Sequence, residues 1–309
     1  MSSRSLIAID WGSTSFRAYL LDHDGKIRDS LSSPMGILNV PEQKFEEVLE
    51  GLIGHWQKTY SKPDMIASGM IGSRQGWKET PYLSTEVGLT DLAGALEKIS
   101  LKQGSSFWIV PGMMVTDAHG IPDVMRGEET QVLGWTAEDK EVFVLPGTHS
   151  KWVLCEQGRI VGFSTFMTGE LYQILKKYSI LGKLINGELE HPVSFIKGVR
   201  NSQLNQYSGL LHNLFSTRTL ALDHQIKSEH LAAYLSGLLI GSEIREAKIY
   251  MEQHGIAGLG ELKLIGSPEL GPLYKTAIET LGDWQCLLFN ENSVVQGLYK
   301  IAVQSRMFQ

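Results

Sequence analysis

Apolar and polar residues follow one another in short blocks, and the block lengths separate strands from helices. An apolar run at 6–11, a second at 16–21 beyond the turn Gly12-Ser13-Thr14-Ser15, and a third segment from Lys26, after His23-Asp24-Gly25, predict a three-stranded meander. Over 41–60, Phe45, Val48, Leu49, Leu52, Ile53 and Trp56 recur at helical spacing. A buried strand at 65–68 runs into the loop Gly69-Met70-Ile71-Gly72-Ser73-Arg74-Gln75-Gly76. A helix over 90–99, a strand over 107–110, a loop over 111–127 and a helix opening at Glu128 follow.

The opening pattern then returns. Strands are expected at 142–145, 151–156 and 159–166, with turns at Gly147-Thr148-His149-Ser150 and Gly158. Both leading turns read Gly, hydroxyl, any residue, Ser, and they lie 135 residues apart, which points to an internal duplication. A helix from Glu170, a segment over 183–227 without a readable period and a long helix over 229–253 come next. In that long helix Gly237 and Gly241 lie one turn apart beside Leu238 and Leu239, a pattern for close helix packing. A strand at 262–265 stopping at Gly266, a helix over 270–281, a strand at 285–289 and a helix from Glu291 complete the chain. Strands and helices in both halves give an α/β class with domains 1–138 and 139–309, the second carrying a helical insertion at about 183–227.

Composition narrows the function. The 309 residues suit two domains of about 150 each. With 42% hydrophobic and 20% charged residues the chain can bury a real core, and a net charge of −6 disfavours a nucleic-acid binder. The apolar stretch near 231–241 is interrupted by Ser236, closed by Glu243 and Arg245, and falls short of the ~20 residues that span a membrane. The start MSSRSLIAIDWG has no signal-peptide pattern, and Cys155 and Cys286 form no disulfide framework. A cytoplasmic protein is expected, with no membrane or nucleic-acid partner and with homo-oligomerisation left open. The nine histidines show no HExxH spacing, and neither GxSxG nor a Walker A string occurs.

The 32 glycines, about a tenth of the chain against a usual ~7%, suggest backbone that something must approach closely. Two Gly-containing turns, one per half, could offer N–H groups and hydroxyls to an anion, or be ordinary hairpins. Asp10, ending an apolar strand beside the first turn, would suit a magnesium ion held largely through water.

The string Ile9-Asp10-Trp11-Gly12-Ser13-Thr14-Ser15-Phe16-Arg17 resembles the first phosphate motif of the actin-like ATPase and sugar-kinase superfamily. Leu145-Pro146-Gly147-Thr148-His149-Ser150 resembles its second, and Leu264-Ile265-Gly266-Ser267 its adenosine motif. More specifically, SGMIGSRQGW at 68–77, PDVMRGEETQ at 122–131, the stretch 145–153 and TFMTGEL at 165–171 resemble the 2-dehydro-3-deoxygalactonokinase family. That resemblance covers essentially the whole chain. It implies two duplicated ribonuclease-H-like domains with a cleft between them, and transfer of the ATP γ-phosphate, with Mg²⁺, to the 6-hydroxyl of 2-keto-3-deoxygalactonate in galactonate breakdown.

It also implies residue roles. Gly12, Ser13, Thr14, Arg17, Gly147, Thr148, His149, Ser150, Gly266 and Ser267 would hold the nucleotide, and Asp10 the metal. Gly69, Met70, Arg74, Arg126 and Thr168 would face the sugar acid. Related kinases carry their catalytic acid at a helix start in a Gly-Asp-Gln-Gln type string; here Gly127-Glu128-Glu129-Thr130 stands there, so Glu128 is the first candidate base, with Glu129 or Asp123 as alternatives. Both glutamates also simply favour a helix N-terminus. A substrate carboxylate asks for a bidentate arginine, for which Arg74 and Arg126 compete, each equally able to form a structural ion pair. Lys151 reads as a solvated strand lysine or a phosphate contact, and His149 as a turn donor. A different sugar or sugar acid, or an actin-like ATPase without an acceptor, are the other readings.

Overall fold

The run Leu6–Trp11 is apolar on both faces, as the central strand of a sheet covered on both sides must be. It forms β1 in the computed structural model, which describes residues 5–307 apart from 61–62, 85, 103, 137–138, 204–208, 256–259, 283 and 290–292. In chain order β2 (Phe16–Leu21), β3 (Ile27–Ser33), α1 (Phe45–Thr59), β4 (Asp64–Ser68), β5 (Tyr82–Ser84) and α2 (Leu89–Gly94) follow. Next are β6 (Glu97–Ser100), β7 (Ser106–Ile109), β8 (Gly112–Thr116), β9 (Pro122–Met125) and α3 (Glu128–Leu133). The later part holds β10 (Glu141–Leu145), β11 (Ser150–Glu156), β12 (Arg159–Phe166), α4 (Thr168–Tyr178), α5 (Pro192–Asn201), α6 (Leu210–Leu214) and α7 (Ser216–Leu222). It ends with α8 (Leu231–Gln253), β13 (Glu261–Ile265), α9 (Leu270–Leu281), β14 (Gln285–Phe289) and α10 (Ser293–Gln304).

The chain groups into two compact units, one of Met1–Lys140, Leu154–Phe163 and Asn292–Gln309, the other of Glu141–Val153 and Ser164–Glu291. A single cut at 138 therefore does not describe the grouping, because the last helix returns to the first unit. Residue 138 itself, the helix start at Glu291 and residues 204–208 of the 183–227 segment lie outside the described residues.

In the first unit the sheet order is β3-β2-β1-β4-β7-β6. β1 pairs antiparallel with β2 and parallel with β4, setting Asp10 opposite Arg17 on one side and Ser68 on the other. Helix α1 lays Phe45, Leu49, Ile53 and Trp56 on this sheet at helical spacing, and the core continues through Trp11, Phe16 and Phe107. The outer strand β3, rich in polar residues, is largely exposed, which suits an edge. The second sheet has the order β12-β11-β10-β13-β14, the same 3-2-1-4-5 plan, with β10, β13 and β14 parallel. The duplication read from the two turns is thus a duplication of topology.

Two expectations change. The helix over 90–99 stops at Gly94, and 97–100 is strand β6, paired antiparallel with β7 and alternating in burial. The loop over 111–127 is a hairpin, β8 and β9, joined by a turn in which the Asp117 carboxylate accepts the N–H groups of His119 and Ile121. Strand β5 completes a separate three-stranded sheet with them. The 183–227 segment holds α5, α6 and α7, and α8 is buried along most of its length. No helix is long and apolar enough to cross a membrane, among the described residues.

Candidate active site

Strand β1 carries Asp10 to its end, where the Arg17 Nε and Nη2 groups donate to Asp10 Oδ2 at 3.1 and 2.7 Å. The register makes this pair unavoidable, since Arg17 stands opposite Asp10 on β2. Beside them the chain leaves β4 through Gly69 at φ +96°, a conformation that side chains rarely adopt. A Cβ on Gly69 would lie 2.9 Å from the Trp11 carbonyl oxygen and 3.4 Å from Asp10 Oδ1. Gly127, at φ +111°, is also tightly placed, and its Cβ would lie 3.2 Å from the Gly69 Cα. Asp10, Gly69 and the start of α3 are therefore neighbours, and bulk at either glycine would separate them.

Helix α3 opens with Glu128 and Glu129, and the structure gives them opposite environments. Glu129 has no exposed surface; its oxygens accept the Gly127 N–H at 2.7 and 3.0 Å and the Thr130 hydroxyl at 3.0 Å. Burial, with the Glu128 charge next, pushes its pKa up to about 7. Glu128 is half-buried and accepts the Arg126 N–H at 3.0 Å. Asp123 lies on β9, where its Oδ1 accepts the Val124 N–H.

The two arginines also differ. Arg126 donates to the Thr80 hydroxyl and carbonyl and lies over the Tyr82 ring, 4.3 Å from its centroid. Its buried Nε has no hydrogen-bond partner among the described residues. Arg74 is exposed. Met70 packs against the core, and its carbonyl takes the N–H and hydroxyl of Ser73. The first turn is pinned from behind, as the Gly12 and Ser13 carbonyls accept the Ile37 and Leu38 N–H groups, while Thr14 stays exposed.

In the second unit Gly147, Thr148, Thr168 and Gly169 line a cavity of about 160 Å³ together with Tyr172 and Tyr274. The buried Tyr172 hydroxyl has no hydrogen-bond partner among the described residues, and burial raises its pKa to about 12, so it stays protonated. Thr168, expected on the sugar side, thus stands with the turn that opens at Gly147, and its hydroxyl bonds Glu243 and Tyr274. His149 is exposed and pairs with Glu170. Ser150 is fully buried and donates to Glu243 Oε1 at 2.7 Å, so its side chain faces inward. Lys151 is buried rather than solvated. Gly266 lies against Gly271, and the Ser267 hydroxyl accepts the Leu270 N–H at 3.2 Å, capping α9, whose first residue reaches the cavity. A neighbouring cavity of about 520 Å³ is walled by Glu188, Glu190 and Glu269, charges that would repel a polyphosphate.

Glu243, Tyr172 and Tyr274 were not among the residues singled out by sequence. The available signal was Glu243, the first acid of α8, where the apolar run that opens the helix ends.

The sequence pattern of the 2-keto-3-deoxy-galactonokinase family matches residues 10–301. The chain is 36% identical over 285 residues to a probable 2-dehydro-3-deoxygalactonokinase of Rhizobium meliloti, covering 89% of each. It is 32% identical over 300 residues to the 2-dehydro-3-deoxygalactonokinase of Escherichia coli, covering 96% of this chain and 97% of that one. A crystal structure from Sinorhizobium meliloti, provisionally assigned to the same activity, superposes with a TM-score of 0.86 at 32% identity over 98% of both chains.

Proposed function

The chain belongs to the 2-keto-3-deoxy-galactonokinase family, and on that premise we propose how its residues share the phosphorylation of 2-dehydro-3-deoxygalactonate by ATP. The reaction forms a bond between the sugar 6-oxygen and the γ-phosphorus as the bond to the β-phosphate oxygen breaks, and ADP leaves. It requires positioning, charge neutralisation and an acceptor for the hydroxyl proton. The repeated 3-2-1-4-5 sheets are the actin-like plan that sugar kinases share, and each carries one Gly-containing turn after its first strand.

One observation carries the assignment: Asp10, Gly69 and the Glu128 end of α3 come together within one unit. Glu128, half-buried at the helix start, is assigned as the base; Glu129 has no surface from which to reach a sugar hydroxyl. Arg126 is assigned to the substrate carboxylate, because Thr80 and Tyr82 hold its guanidinium plane while the residue as a whole is only half-buried. Gly147 and Thr148 are assigned to the phosphates, with Tyr172 on the cavity wall.

Asp10 fits Mg²⁺, a hard cation commonly held through one carboxylate, water and substrate phosphates. Bound there, the ion would neutralise phosphoryl charge. Arg17 fixes the Asp10 carboxylate from the other side.

The test is a coupled assay for ADP with ATP, magnesium and a panel of 2-keto-3-deoxy acids. ADP formation should depend on the sugar acid, and Glu128→Gln should lower kcat by about 10²–10⁴ with the fold intact by circular dichroism. Acceptor-independent ATP hydrolysis at the wild-type rate overturns the kinase reading; a fully active Glu128→Gln moves the base elsewhere.

A further inference from the structure

The second phosphate turn is held by the elements around it. Its Thr148 carbonyl accepts the Glu170 N–H at 2.9 Å, and a Cβ on Gly169 would lie 2.3 Å from the Gly147 carbonyl oxygen. The turn therefore rests on the first residues of α4, and its shape depends on where α4 begins. Its far end is Ser150, the first residue of β11.

Both supports lead to one side chain. Glu243, on α8 and 3% exposed, accepts the Ser150 hydroxyl at 2.7 Å and the Trp152 indole N–H at 2.8 Å through Oε1. Its Oε2 accepts the Tyr274 hydroxyl at 2.5 Å, and the Thr168 hydroxyl bonds the same carboxylate. Four donors from β11, α4 and α9 meet one acceptor, which matches the lone-pair capacity of a carboxylate. Burial raises the Glu243 pKa, and these hydrogen bonds oppose the rise.

We propose that Glu243 is a positioning residue for phosphoryl transfer: it clamps Ser150 at one end of the turn and Thr168 beneath it, fixing the shape in which Gly147 and Thr148 receive the nucleotide phosphates. The inference rests on the assignment of that turn to ATP. No change of charge at the substrate is involved, since Glu243 acts through the backbone it holds. A Gln at this position keeps the length but replaces two acceptor sites with donors, so at least one of the four bonds must rearrange. An Ala leaves the Trp152 indole and three hydroxyls without their shared partner.

Steady-state kinetics on the full-length chain test this, with Glu243→Gln, Ser150→Ala and a direct disruption of the turn, Gly147→Val. Glu243→Gln should raise the KM for ATP by about tenfold or more, with the KM for the sugar acid changing by less than roughly twofold. Ser150→Ala, which removes one of the four donors, should shift the same parameter by less. A merely structural role would instead lower the melting temperature and kcat while leaving the KM for ATP in place, and that result overturns the proposal. If Gly147→Val raises the KM for ATP and Glu243→Gln does not, the positioning role alone fails. If Gly147→Val also leaves it unchanged, the turn does not serve ATP and both fall. Should the Gln variant not fold, Ser150→Ala carries the decision by the same criterion.

Discussion

Two adjacent carboxyl groups at one helix start, Glu128 and Glu129, face opposite demands. Glu129 is sealed from solvent and its pKa is about 7, raised by burial and then by the Glu128 charge, against an ordinary 4.5. The native state therefore holds this proton more tightly than the unfolded chain does. Its contribution to stability is complete below pH 4.5 and is lost as the pH rises through 7. The gap is worth roughly 3 kcal/mol. Glu129→Gln, which carries no charge to bury, should gain about that much on the wild type between pH 4 and pH 8, read by urea denaturation at each pH. Parallel profiles for the two proteins would show that the carboxyl does not titrate there. At this scale the sequence offers Asp10 as a candidate because it ends an apolar strand beside a Gly-containing turn, and Glu128 because its string resembles that of related kinases. Which of two neighbouring glutamates is buried was not legible, since one residue step on a helix turns the side chain by about 100° and a single sequence does not say which direction is inward. Glu243 stayed hidden for a related reason: its partners Ser150, Trp152, Thr168 and Tyr274 lie far apart along the chain.

Among elements, the contact between α5 and α8 shows how little space the second unit leaves. A Cβ on Gly237 would lie 2.0 Å from the Phe195 carbonyl oxygen, and one on Gly198 would lie 2.2 Å from the Tyr234 carbonyl oxygen. The backbones touch there, as the Gly237 and Gly241 spacing suggested. Alanine is the better helix former by about 1 kcal/mol, yet pushing two helices apart commonly costs about 1–3 kcal/mol. Gly237→Ala should therefore lower the melting temperature. Gly51→Ala in α1, where no atom lies within 4 Å, should raise it. Equal shifts of one sign would mean that propensity alone decides at both positions. The central strands of the two main sheets were readable because burial on both faces leaves continuous apolar runs, whereas the half-exposed edge strand β6 reads as part of a helix. β8 and β9 were not readable, because their partial burial mixes polar and apolar residues and the Asp117–Gly120 turn between them resembles an ordinary loop.

For the whole molecule, the path of the chain matters as much as its two sheets. Helix α10 packs against α3, α2 and β1, burying Val294, Val295, Leu298, Ile301 and Ala302. Lys300 Nζ donates to the Gly134 carbonyl at 2.7 Å, and Gly297 lies against the Thr130 carbonyl. The helix that bears Glu128 is thus backed by residues some 165 positions later. A chain ending at residue 290 should lose amide protection in β1 and α3 first, while β13 and β14 remain protected in hydrogen exchange. Uniform loss, or none, would mean that α10 is not part of the first unit's cooperative core. Sequence periodicity found α10 itself, but its destination lies in long-range packing that no local pattern encodes. During synthesis this threading reverses the expected order of maturation. The second unit, contained in Glu141–Val153 and Ser164–Glu291, has all its residues outside the ribosome before α10 emerges. The first unit, made earliest, must wait for the last helix, with the face of α3 that α10 covers exposed to any chaperone that meets it.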